Sequence, residues 1–96
     1  MTRKEKELEE YQKAREELQK AILEFLEKNS EKKYNLEEIS KAIEIPVYWR
    51  DFDQPQREVI VSRELSCLNK LRKVEEIEEV QEFKSVYYYR IQGYFL

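Results

Sequence analysis

An α+β domain, three helices followed by a β-hairpin, is what this sequence of 96 residues predicts. Three observations carry that expectation. Residues 3–28 contain no Gly or Pro and are dense in strong helix formers. Residues 55–73 sort their apolar and polar side chains onto opposite sides of a helix turning about 100° per residue. Residues 77–82 and 86–91 are rich in β-branched and aromatic side chains and flank the polar Lys84-Ser85, as two strands and a tip would.

In the first helix Leu8, Tyr11, Arg15, Leu18, Ile22 and Phe25 alternate spacings of three and four, an apolar seam interrupted at Arg15. A polar break at 29–33 ends it. Asn35 followed by Glu38 reads as an N-cap with a capping-box partner, so a second helix begins at Leu36, carries Leu36, Ile39, Ala42 and Ile43 on one side, and stops before Pro46. Residues 44–54 form a long connection whose Tyr48, Trp49 and Phe52 read as an extra turn packed on the core or as an aromatic contact surface, the core reading being favoured. Asp53 caps the third helix and Pro55 suits its first turn. Ile60, Val61, Glu64, Leu65, Cys67, Leu68 and Leu71 gather on one side of that helix, and Ser62, Arg63, Ser66, Asn69, Lys70 and Lys73, with no carboxylate among them, on the other. In the hairpin, alternation sends Tyr87 and Tyr89 inward and Tyr88 outward. Gly93 permits a bend before the apolar end Tyr94-Phe95-Leu96.

The length suits one domain, residues 1–96, with a single core and no enclosed catalytic cleft of usual size. No apolar run approaches the roughly 20 residues that span a bilayer, and the charged start has no apolar stretch after it, so no membrane association and a cytoplasmic location are expected. The lone Cys67 fits a reducing compartment and core packing. Formal net charge is −3, which argues against a nonspecific coat on nucleic acid. The one net positive stretch is 54–73, where Arg57, Arg63, Lys70, Arg72 and Lys73 face only Glu58 and Glu64. Abundant charge of both signs and no His resemble the ion-pair style of proteins from hot environments.

Enzymatic chemistry finds little support. With no His and one Cys there is no imidazole base and no usual zinc set, and a single Gly excludes a glycine loop for phosphate. Asp51 and Asp53 are better caps and turn formers than metal ligands, and Ser62 and Ser66 lack a nearby base. No metal, no cofactor and no small-molecule ligand are expected.

The string Leu68-Asn69-Lys70-Leu71-Arg72-Lys73, then Ile77-Glu78-Glu79-Val80, then Val86-Tyr87-Tyr88-Tyr89-Arg90-Ile91, resembles the end of the recognition helix and the wing of bacterial and archaeal winged helix-turn-helix regulators. Asn35 to Ile43 is similar to their second helix. The resemblance covers roughly residues 14–91 and rests on patterns of leucines and aromatics. It implies a winged helix-turn-helix fold and sequence-specific binding of double-stranded DNA. Carried onto matching positions, Ser62, Arg63, Ser66 and Asn69 would face bases, while Lys70, Lys73, Lys84 and Ser85 would meet phosphates. The chain departs from the family pattern in its long second connection, in the acidic hairpin with Glu75, Glu76, Glu78, Glu79 and Glu82, and in having no Gly at the junction of helix and wing. Winged helices also serve as protein-binding modules, which is the alternative role.

The first helix extends about three turns before Ala14, carrying Leu8 and Tyr11, longer than is usual in the family. Residues 1–13 and the tail 92–96 therefore predict a homodimer through Leu8, Tyr11, Leu18, Tyr94, Phe95 and Leu96, which would present two recognition helices to a palindromic site.

Overall fold

The structure, a computed structural model, describes the backbone of residues 2–80 and 84–90, with side chains at 77–80, 84, 85 and 90 outside that description. It is α+β: three helices and a small three-stranded antiparallel sheet. Helix α1 spans Arg3–Lys28, the bounds the sequence predicts, and Thr2 caps it in a reciprocal capping box with Glu5. A short strand β1, Tyr34–Asn35, leads into α2, Leu36–Ala42, capped by Asn35 and Glu38 as expected. The long connection holds one 3₁₀ turn, η1, at Val47–Trp49. Helix α3, Gln54–Lys70, starts at the Asp53 cap, and strands β2, Val74–Val80, and β3, Lys84–Arg90, follow it.

The apolar faces of all three helices meet in one core. Helix α1 contributes Ala14, Leu18, Ile22 and Leu26, and Ile39 and Ile43 come from α2 and its C-cap. Trp49, Ile60, Val61, Leu65, Leu68, Val74 and Tyr88 complete it. Leu18, expected at a dimer interface, is only 1% exposed inside this core. It lies in register with Ile22 and Ala14 on the stripe that faces α3, so its burial is already complete within one chain. Ala42, expected on the inner side of α2, is exposed because the helix ends there.

The sheet order is β1-β3-β2, and the register sets which tyrosines face inward. Tyr34 stands opposite Tyr88, and side chains directly opposite in an antiparallel pair share a face. Tyr34 also packs its ring 4.9 Å from that of Phe25 on α1. Tyr88 is therefore buried and Tyr87 and Tyr89 half-buried, the reverse of the alternation expected from sequence. Burial and the neighbouring charge of Glu76, its β2 partner, push the Tyr88 phenol up.

The end of α3 supplies its own terminator. Lys73 N–H donates to the Leu68 carbonyl at 2.9 Å and Arg72 N–H to that of Asn69 at 3.0 Å, a Schellman closure. Arg72 takes the left-handed position with φ 59°. The expected gap left by the missing Gly is thus filled by a non-Gly residue at some cost in strain. The helix ends at Lys70, one residue before Leu71, which is exposed.

Candidate nucleic-acid interface

Two polar attachments fix α3 against the rest of the domain. At its start, Gln54 Nε2 donates to the buried Ser40 hydroxyl at 2.7 Å, and Ser40 Oγ donates in turn to the Glu37 carbonyl at 3.0 Å, tying α2 to α3. In its middle, Glu64 is 1% exposed and receives the Arg15 guanidinium through two nitrogens, Nε at 2.9 Å on one oxygen and Nη2 at 3.0 Å on the other. Gln19 Nε2 adds a third donor at 2.8 Å. Burial pushes the Glu64 carboxyl up, but the hydrogen bonds from Arg15 and Gln19 and the charge of Arg15 outweigh it, leaving it below the ordinary value of 4.5. The apparent break in the α1 seam is therefore the place where α1 and α3 are locked in register. Cys67, expected in the core, is half-buried, and its Sγ accepts from Arg15 Nη2 at 3.3 Å.

With that side held inward, the opposite side of α3 is presented outward. Ser66 and Lys70 are exposed on it, Ser62 and Asn69 are half-buried along its edge, and exposed Lys73 follows in the terminating turn. Arg63, expected at base edges, is exposed but donates from Nη1 to the Tyr11 hydroxyl at 3.1 Å, which draws it toward α1. Lys84 and Ser85, expected at the hairpin tip, lie in strand β3, paired with Val80 and Glu79. Residues 81–83 lie outside the described residues.

Sequence reasoning missed two occupants of this side. Val59 is 62% exposed, four residues before Arg63 and seven before Ser66, so the same helical wheel places it there. Glu58 is half-buried along the Ser62 edge. Lys41, raised first by its hydrogen bond to Glu37 and by that group's charge, is also raised by Glu58, which places this carboxylate near α2. The polar side thus divides: its N-terminal half carries Pro55, Glu58 and Val59, and its C-terminal half Ser66, Asn69, Lys70 and Lys73.

The favoured core reading of the connection holds for Trp49, which is buried and donates from Nε1 to the Ala14 carbonyl at 3.1 Å. Phe52 is half-buried with its ring 5.8 Å from that of Trp49, and Tyr48 stays 48% exposed. Of the expected dimer residues, Leu8 is 56% exposed and Tyr11 half-buried against Tyr48 and Trp49, while Tyr94, Phe95 and Leu96 lie outside the described residues. Among the described residues no group of Cys, Asp or Glu is placed to hold a metal ion, and no helix is long and apolar enough to cross a membrane. Comparison with protein-family models, with curated proteins and with solved structures finds no match for this chain.

Proposed function

We propose that the chain is a winged helix-turn-helix domain that binds double-stranded DNA through the C-terminal half of α3. The observation that carries the reading is the outward side of that half. Ser66, Asn69 and Lys70 follow one another along it with no carboxylate, Lys73 comes next in the terminating turn, and the helix is pinned on its inner side by Arg15 and Gln19. The element order and the sheet order β1-β3-β2 are compatible with a winged helix. On this reading Asn69 and Ser66 meet base edges, an amide being able to engage adenine through paired hydrogen bonds. Lys70 and Lys73 meet phosphates and position the domain without specifying sequence. Glu75 and Glu76, exposed at the start of β2, keep that strand off the phosphate backbone.

Fluorescence anisotropy on a pool of random duplexes, titrated from about 50 to 200 mM salt, tests the reading. Salt-sensitive binding is expected, and Lys70→Ala should weaken it evenly across sequences and lower the salt slope by about one. Absence of binding at the lowest salt would refute it and favour a protein-binding role.

A further inference from the structure

Every residue from Thr2 to Glu10 is exposed, and the first buried residue of α1 is Ala14. Residues 3–10 thus carry roughly 12 Å of helix past the core. The extension does not end in a purely polar surface. Among the described residues the exposed large apolar side chains are Leu8, Val47, Tyr48, Val59 and Leu71; Leu8, Tyr48 and Val59 border one belt, while Val47 lines a separate groove with Ala21, Phe25 and Lys28. Tyr11, one turn after Leu8, packs its ring tilted against Tyr48 at 6.3 Å and edge-on to Trp49 at 6.0 Å. Trp49 in turn lines an open pocket of about 330 Å³ with Phe52, Gln56, Val59, Ile60 and Arg63. Single exposed apolar side chains are ordinary, whereas a contiguous patch marks a contact surface.

We infer that this belt, where the N-terminal part of α1 meets η1 and the start of α3, docks a second copy of this chain, with the Leu8 stretch of each copy entering the other's pocket of Trp49, Phe52 and Val59. A two-fold contact requires both complementary parts on one face of the molecule, and here they are neighbours on one belt. Their charges are also complementary. Of the pocket residues only Arg63 is charged, and its Nη1 is held beside the pocket by the Tyr11 hydroxyl. Leu8 is flanked by Glu7, Glu9 and Glu10, with Glu7 paired to Arg3 at 3.3 Å and Lys4 and Lys6 on the N-terminal side, so Glu9 and Glu10 are the carboxylates not engaged by that pair. A leucine entering the apolar pocket therefore brings carboxylates to the rim where the guanidinium stands. Ser66, Asn69 and Lys70 lie outside the contact, so the inference stands apart from the DNA reading and assigns Arg63 to self-association instead of base contact.

Sedimentation velocity of the full chain, without DNA, from low micromolar to several hundred micromolar concentration, tests the docking. The mass should rise with concentration from 11.9 kDa to twice that. Leu8 and Val59 are exposed in the single chain, so Leu8→Lys and Val59→Glu leave its core intact. Each substitution enters a two-fold contact twice, and the loss of about tenfold expected for one buried apolar side chain becomes about 100-fold in the dimer dissociation constant. Arg63→Glu should weaken the dimer, and adding Glu9→Lys and Glu10→Lys should restore it. A species at 11.9 kDa throughout the range, or a dimer indifferent to both Leu8→Lys and Val59→Glu, would overturn the inference. Neither outcome touches the salt-dependent DNA measurement, so the two readings fail separately.

Discussion

Replacing Arg15 by Met isolates what the lock between α1 and α3 contributes. In the native chain the guanidinium satisfies both oxygens of a carboxylate that is 1% exposed, at 2.9 and 3.0 Å, and Gln19 Nε2 adds a donor at 2.8 Å. Methionine fills much of the aliphatic volume but leaves Glu64 buried with Gln19 alone. Breaking a buried pair in this way costs about 3–5 kcal/mol. The Arg15 side chain is 32% exposed, so water can partly replace it, and the lower end, about 3 kcal/mol, is expected. For a domain of this size that corresponds to roughly 12–24 °C in Tm. The double variant Arg15→Met with Glu64→Leu removes both charges and should recover most of the loss, since an apolar replacement of a buried pair is often neutral. Urea unfolding followed by circular dichroism measures both. The pH dependence supplies a second sign. Native Glu64 titrates below its ordinary value, so its contribution is full above about pH 5 and is lost as pH falls through the lowered value. In Arg15→Met burial dominates and raises the carboxyl above its ordinary value, so the deficit is greatest at neutral pH and shrinks on acidification. A single variant less than about 1 kcal/mol below wild type, or a deficit that grows as pH falls, would refute the assignment of the pair as a buried lock.

Further outcomes follow from the caps and the connection. Arg72→Gly should stabilise the fold by about 1 kcal/mol, because φ 59° penalises a side chain with a Cβ, whereas Arg72→Val should destabilise it; urea midpoints compare the two. Asp53→Ala removes the acceptor for Gln56 N–H at 2.9 Å and should cost about 1 kcal/mol by the same assay. Trp49→Phe keeps the aromatic packing but removes the indole donor 3.1 Å from the Ala14 carbonyl, which retains its helical partner, a loss of about 0.5–1.5 kcal/mol in thermal unfolding.

Local signals made most of the helices legible in advance. The bounds of α1 follow from composition, and the starts of α2 and α3 from caps at Asn35 and Asp53 whose side chains bond the third helical residue. These features depend on neighbours in sequence. Strand β1 was not legible, because two residues, Tyr34 and Asn35, become a strand only when β3 is beside them. The phase of the three tyrosines failed for the same reason: alternation fixes that Tyr88 differs from its neighbours, while the pairing of Tyr88 with Tyr34, next to Phe25, decides which way it faces. The terminator at Arg72 was hidden because backbone hydrogen bonds, not residue type, hold it.

The candidate site divides along the same line. The periodicity of α3 placed Ser66 and Lys70 outward and the core residues inward, and the structure agrees. A wheel is blind to what lies beside the helix, and so it could not assign Arg63, whose direction is set by Tyr11, fifty-two positions earlier in the chain. Nor could it give a role to Arg15, which read as an interruption of a seam until Glu64 stood opposite. That pair restricts the register of α1 on α3. Sliding α3 by one residue along α1 would turn Glu64 away from the guanidinium and bury a charge without a partner, a cost that an all-apolar contact would not impose. The same register brings Tyr11 beside Arg63 and leaves Asn69 and Lys70 facing out. The residues that hold α3 in place thus also determine which of its cations face outward and which is drawn into contact with α1.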